Sequence, residues 1–145
     1  RISFTYNNSE NISELAKKNG NSLVDYETEE GKLINHVSSG IKNAAQIIKE
    51  IENIMEKARH TFGFAPEDYE IKKMTSTLAF CNKDTQSILI NPYIVMYSKE
   101  IVEYVVFHQF CHLKYKTHSK KFYDMLKKYV PNYETLARQL PNLKY

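Results

Sequence analysis

The sequence has few of the residues that mark several classes of protein. It contains no tryptophan, four glycines, four prolines and two cysteines, Cys81 and Cys111, in 145 residues. Two cysteines in a chain this long do not form the disulfide framework of a small secreted domain, so a reducing, cytoplasmic setting is the default expectation. No internal repeat or low-complexity tract is present.

Long apolar runs and strong net charge are absent as well. No apolar stretch approaches the roughly 20 residues of a transmembrane helix, so no membrane partner is expected. The net charge of +3 does not by itself argue for nucleic acid. With 42% hydrophobic and 26% charged residues, the chain is predicted to form one soluble globular domain over residues 1–145.

Residues 1–40 carry the weakest patterns of the chain and are poorly defined. Residues 1–6 alternate as in a short strand, and residues 11–18 suggest a short helix. Residues 23–26 and 32–37 are predicted to pair as a hairpin.

From residue 41 onward the patterns predict an α+β fold. Apolar residues at helical spacing predict a long amphipathic helix over about 41–61. A small antiparallel sheet of two or three strands is expected next, and Ser98 is expected to cap a further helix. The remaining elements are strands over 69–74, 75–81 and 87–91, that capped helix over 99–113, and C-terminal helices over 119–128 and 133–140.

Three of the five histidines, His108, His112 and His118, lie in one short window at the end of the capped helix. Residues four apart on a helix lie on one face, so His108 and His112 point the same way and can share a metal ion. The short gap that follows can end the helix and turn His118 toward them. Three neutral imidazoles with one open position are a recognised form of catalytic zinc site, so Zn²⁺ is the expected cofactor.

Gln109 occupies the position at which H-E-x-x-H zinc hydrolases carry the glutamate that acts as general base. A carboxylate can take a proton from water, whereas an amide cannot. The wider spacing, H-x-x-x-H-x-x-x-x-x-H, is the one used by metzincins, although Tyr115 stands where they carry glycine. The pattern therefore predicts a metal site that lacks its proton acceptor.

Several separate segments of the C-terminal half, in the right order, resemble the YgjP-like zinc metallopeptidases, which are relatives of the SprT-like proteases. These segments are residues 90–92, 103–108, 111–114, 117–122 and 130–133. The resemblance covers about residues 70–135. It implies zinc ligands at His108, His112 and His118 and a polypeptide substrate.

The chain departs from the family pattern in three places. Gln109 replaces the catalytic glutamate, residues 76–81 differ from the family's S-R-W-G-S-C stretch, and residues 1–60 do not obviously follow its N-terminal part. The expected function is a zinc metallopeptidase that is inactive or strongly impaired as written. Gln109 is then either an introduced inactivating change or the mark of a natural pseudo-enzyme, and the retention of all three histidines favours the first.

Two other interpretations stay open at this stage. A binding module could use a lysine-rich patch for nucleic acid or an acidic partner. The patch consists of Lys114, Lys116, Lys120, Lys121, Lys127 and Lys128. A metal-free fold could instead use His108 and His112 only for packing. Within the hydrolase interpretation, Tyr115, Tyr123 and Tyr133 are candidate donors to the transition state.

Overall fold

The computed structural model describes residues 4–5, 24–27, 33–37, 40–42 and 44–145, with side chains from residue 45 onward. Its elements are β1 (Phe4–Thr5), β2 (Val24–Glu27), β3 (Leu33–Val37), β4 (Gly40–Lys42), α1 (Ala44–Phe62), β5 (Asp68–Lys72), β6 (Ala79–Asn82), β7 (Ser87–Ile90), a 3-10 helix (Pro92–Met96), α2 (Lys99–Lys114), α3 (Lys120–Tyr129) and α4 (Tyr133–Ala137). The α+β fold class expected from the sequence is confirmed. No helix in these ranges is both long and apolar enough to cross a bilayer.

The larger sheet has the strand order β1-β5-β7-β6 and is mixed. β6 and β7 form an antiparallel hairpin, whereas β5 runs parallel to β7. The expectation of a purely antiparallel sheet is therefore wrong for this pair. Ile88 and Ile90 of β7 are buried, which favours the central position for β7 between β5 and β6. Among the described strands, β6 is an edge strand of this sheet.

The smaller sheet contains β2, β3 and β4. The predicted hairpin is confirmed, with Tyr26 of β2 opposite Ile34 of β3. The predicted start of the long helix is wrong, because Ile41 pairs with His36 in β4 and α1 begins only at Ala44. The helix predicted over 11–18 lies outside the described residues.

Helix α2 is the centre of the core. It is buried on nearly all sides, as expected of a helix that other elements surround. Its neighbours are α1, the 3-10 helix, β6, α3 and α4. The apolar face of α1 includes Ile47, Ile51 and Ala58, which are fully buried against it. This enclosure holds the C-terminal end of α2 in one position beside the sheet.

Local signals set the ends of the helices around the site. Ser98 caps α2 as predicted, since its Oγ accepts a hydrogen bond from the amide of Ile101 at 3.3 Å. Ser119 caps α3 in the same way, accepting from the amide of Phe122 at 3.3 Å. Because α2 ends at Lys114 and Ser119 caps the start of α3, the connection between the two helices is only a few residues long.

Hydrogen bonds of the Asn91 side chain join the segment before β6 to the end of β7. Its side chain is fully buried, and its Nδ2 donates to the carbonyls of Met74 at 2.7 Å and Thr77 at 3.0 Å. Its Oδ1 accepts from the amide of Tyr93 at 3.0 Å. The strand predicted over 75–81 begins only at Ala79, and before it the carbonyl of Thr77 accepts from the Asn91 side chain instead of from a neighbouring strand.

Replacing Asn91 by aspartate tests whether these hydrogen bonds stabilise the fold. The substitution keeps the shape of the side chain but turns a donor into a buried carboxylate that faces two carbonyl oxygens. We expect Asn91→Asp to lower the free energy of unfolding by roughly 3–5 kcal/mol, measured by urea denaturation. Asn132→Ala is the control, because Asn132 is exposed and donates only to Glu100. If Asn91→Asp lowers the free energy of unfolding no more than Asn132→Ala does, the proposed stabilising role of Asn91 is wrong.

Candidate metal centre

The structure brings the three expected histidines together. His108 and His112 lie on one face of the last turns of α2, and His118 lies just before α3. The Nε2 atoms are 3.2 Å apart for His108 and His112, 3.1 Å for His112 and His118, and 3.2 Å for His108 and His118. They are the only cluster of three potential metal-ligating side chains found where side chains are described.

These three nitrogens cannot satisfy one another by hydrogen bonding. A neutral imidazole presents either an N–H or a lone pair at Nε2. With three such atoms in mutual contact, at least one pair must bring together two N–H groups or two lone pairs. A cation that accepts all three lone pairs removes this conflict.

The spacing of the nitrogens also fits zinc. A tetrahedral ion with Zn–N bonds of 2.0–2.1 Å requires ligand nitrogens roughly 3.3 Å apart, close to the 3.1–3.2 Å found here. The Nδ1 of His112 lies 3.0 Å from the carbonyl oxygen of Tyr115. Donation of Nδ1–H to that oxygen leaves the lone pair on Nε2, the tautomer that binds a metal.

Burial favours the neutral form of two of these rings. It holds the pKa of His108 well below the ordinary histidine value, and the proximity of His112 and His118 lowers it further. Burial also lowers the pKa of His112, against a smaller opposite effect of the Tyr115 carbonyl. Both rings are therefore unprotonated at neutral pH, as metal binding requires.

Phe122 forms the packing surface beneath the cluster. Its side chain is fully buried, and its ring centroid lies 4.9 Å from the ring of His108, 4.6 Å from His112 and 4.9 Å from His118. One side chain of α3 thus contacts all three imidazoles. Nothing in the sequence showed that Phe122 would support the site.

Gln109 lies beside the histidines with an unsatisfied amide. Its side chain is 1% exposed, and neither Oε1 nor Nε2 has a hydrogen-bond partner among the described residues. The residue borders a cleft of about 490 Å³ that also reaches His112. Gln109 thus combines a buried, unsatisfied amide with a position at the wall of the cleft.

The cleft has a free strand edge on one side and basic residues around it. β6 contributes Ala79, Phe80, Cys81 and Asn82 to its lining. The charged residues of the lining are Lys83, Lys116, Lys144 and Asp84. Phe80 is 51% exposed, which makes it the most exposed large apolar side chain among those described.

The C-terminal segment completes the cleft in a way the sequence did not reveal. The amide of Leu78 donates to the carbonyl of Lys144 at 2.8 Å, and this contact brings Tyr145 to the site. The ring of Tyr145 lies 4.9 Å from the ring of His108, and its hydroxyl group is 2.8 Å from that of Tyr104. Burial raises the pKa of both phenols, so both keep their protons at neutral pH.

The tyrosines expected near the site have other surroundings. Tyr115 provides its backbone carbonyl to His112, and Tyr133 stacks on Tyr123 with centroids 5.5 Å apart. Tyr123 is the nearest of the three to the histidines by its ring, 6.0 Å from the ring of His118. Tyr145 contacts His108 more closely, and residue patterns could not have predicted a contact between residues so far apart in the chain.

Half of the expected lysine-rich patch has other partners. Lys114 lies 4.9 Å above the ring of Phe64, Lys120 pairs with Asp124 at 2.9 Å, and Lys128 lies 5.4 Å above the ring of Tyr129. Of the six lysines, Lys116 lines the cleft. The patch is therefore divided among separate local contacts.

Comparisons with known proteins agree with this geometry. A family model described as YgjP-like, metallopeptidase domain, matches residues 1–143. The match extends well beyond residues 70–135 and includes the N-terminal part that was not expected to follow the family. No curated protein sequence is significantly similar to the chain.

Two solved structures share the fold. The metallopeptidase zymogen abylysin of Pyrococcus abyssi is 21% identical with a TM-score of 0.55, over 61% of this chain and 90% of that one. The metallopeptidase zymogen jannalysin of Methanocaldococcus jannaschii is 24% identical with a TM-score of 0.53, over 61% of this chain and 94% of that one.

Removing the ring beneath the histidines should weaken metal binding as well as the fold. We expect Phe122→Ala to lower the free energy of unfolding by about 3–5 kcal/mol and to reduce zinc affinity measured by competition with a chelator. Leu126→Ala, one turn later on the same buried face, is the control and should reduce stability with little change in zinc affinity. Equal losses of zinc affinity in the two variants would show that Phe122 has no special role.

The stability of the chelator-treated protein should depend on pH. The folded-state pKa of His108 and His112 lies below the unfolded-chain value of about 6.5, so the unfolded state binds more protons as pH falls through that value. We expect the free energy of unfolding to decrease from pH 7.5 to 5, as measured by urea denaturation. His108→Ala should reduce this slope, because it removes one of the two rings whose folded-state pKa is lowered. A slope unaffected by His108→Ala would refute the assignment.

Proposed function

The chain belongs to the YgjP-like metallopeptidase domain family, and from this premise we propose that it is a zinc metallopeptidase domain whose metal is held by His108, His112 and His118. Family membership implies a metal and a peptide substrate. The proposal for these ligands rests above all on the three Nε2 atoms, which lie 3.1–3.2 Å from one another beside an open cleft.

Zinc, when bound, supplies a Lewis acid and lowers the pKa of a bound water. The chain's own residues supply the rest of the site. The free edge of β6 can align an extended polypeptide by backbone hydrogen bonds, as exposed strands do in peptide recognition. The paired phenols of Tyr104 and Tyr145 offer protonated donors beside His108.

Gln109 limits what this site can catalyse. Its amide can orient a polar group by donating or accepting a hydrogen bond, but it cannot carry a proton away. Losing a general base removes about 10²- to 10⁴-fold in rate. We therefore propose that turnover is strongly impaired in this chain, whether Gln109 is an introduced change or belongs to a natural pseudo-enzyme.

Restoring the carboxylate tests the proposal directly. Gln109→Glu should raise the rate of cleavage of an unfolded, fluorescently labelled polypeptide by about 10²- to 10⁴-fold. The gain should disappear in the presence of a chelator. Zinc content, measured by mass spectrometry of the metal, should be close to one ion per chain in both forms, because residue 109 is not a ligand.

Two control variants distinguish the contribution of the bound metal from that of the general base at residue 109. Gln109→Glu combined with His118→Ala should bind zinc weakly and show no gain in cleavage. His60→Ala, outside the cluster, should leave the zinc content unchanged. The proposal fails if the chain binds no zinc, or if Gln109→Glu binds zinc fully yet cleaves no faster than the Gln form.

A further inference from the structure

We propose that the cleft beside the histidines is a binding site for peptides that carry a carboxylate, with the Gln109 amide and the lysines of the cleft as its recognition groups. The inference goes beyond hydrolysis, because it concerns a ligand that is held rather than cleaved. It rests on the proposed function for the location of the metal, while its recognition groups belong to the protein itself.

The first support is the buried amide of Gln109. The side chain is 1% exposed, and within residues 44–145 both of its polar atoms are without partners, although buried polar groups are normally hydrogen-bonded. Its –NH₂ group can donate two hydrogen bonds. Because Gln109 borders the cleft, rotation of its side chain would let the amide donate to an acceptor that enters the cleft.

The charged residues that line the cleft determine which kind of hydrogen-bond acceptor it favours. Lys83, Lys116 and Lys144 line the cleft with one acidic residue, Asp84. Within the described part of the chain, none of these three lysines forms an ion pair with a carboxylate. A concave surface with an excess of charges of one sign attracts ligands of the opposite sign. The cleft therefore favours a carboxylate over a neutral carbonyl.

The identity of residue 109 strengthens this preference. A glutamate there would place a negative charge at the innermost part of the cleft and repel an incoming carboxylate. Glutamine has nearly the same shape, removes the charge and adds a donor. The same substitution that impairs proton transfer thus makes the site more favourable for an anionic group.

The wall of the cleft indicates that the carboxylate belongs to a peptide. Among the described strands, β6 has no neighbour on its outer edge, which leaves backbone groups for hydrogen bonds, and Phe80 offers an exposed apolar surface on that strand. A small inorganic or organic acid would use neither feature. The carboxylate can come from the C-terminus of the peptide or from an Asp or Glu side chain.

Titration calorimetry with the zinc-loaded chain of residues 1–145 tests the inference. Three N-acetylated hexapeptides serve as probes: Ala-Ser-Phe-Leu-Ser-Ala with a free C-terminus, the same peptide as its C-terminal amide, and that amide with Glu in place of the second Ser. We expect the first or the third to bind at least tenfold tighter than the neutral amide, which identifies the source of the carboxylate. Equal affinity for all three peptides would overturn the inference.

Substitutions then assign the preference to the cleft. Gln109→Met, which has no charge and no donor, should remove most of the difference between the carboxylate peptide and the neutral amide. Lys116→Met should reduce it several-fold, whereas Lys121→Met, on α3 outside the cleft lining, should not. A preference that survives Gln109→Met and Lys116→Met would contradict the proposed recognition groups.

The metal-free chain distinguishes this inference from the proposed function. We expect a weaker but measurable preference for the carboxylate peptide without zinc, because Gln109 and the lysines remain. If zinc binds and Gln109→Glu cleaves polypeptide, but no carboxylate preference exists, this inference alone fails. If no zinc binds yet the preference is present, the proposed function fails and the peptide site stands.

Discussion

The close approach of three imidazoles is the constraint on which the rest of this structure depends. Their Nε2 atoms lie 3.1–3.2 Å apart, a spacing at which they cannot all be satisfied by one another. Packing holds them there: α2 is enclosed by the core, and the ring of Phe122 contacts all three. The protein thus uses apolar burial to maintain a polar arrangement that favours a cation.

Gln109 connects this arrangement to what the domain can do. It lies on α2 between two of the histidines in sequence, and its amide is buried without a partner at the cleft. One substitution changes both the proton chemistry and the charge of the cleft. The proposed impairment of turnover and the proposed affinity for a carboxylate both depend on this one buried amide and on the lysines that line the cleft.

Local signals predicted much of the fold but misjudged where strands pair. The cap at Ser98, the helix over α2 and the hairpin of β2 and β3 depend on neighbouring residues, and all three are confirmed. The parallel pairing of β5 with β7 was missed, because it depends on β7 lying between strands that precede it in the chain. Pairing of Ile41 in β4 likewise overrode a helical pattern that would have begun there.

The sequence by itself determined that His108 and His112 share one face and that residue 109 cannot accept a proton, because helix periodicity and side-chain chemistry are local properties. Only the tertiary structure decided that His118 completes the cluster and that Phe122 supports it. It also decided that Lys144 and Tyr145 reach a cleft formed by β6. These contacts join residues far apart in the chain, and they exist only because the core places α2, α3 and the edge strand side by side.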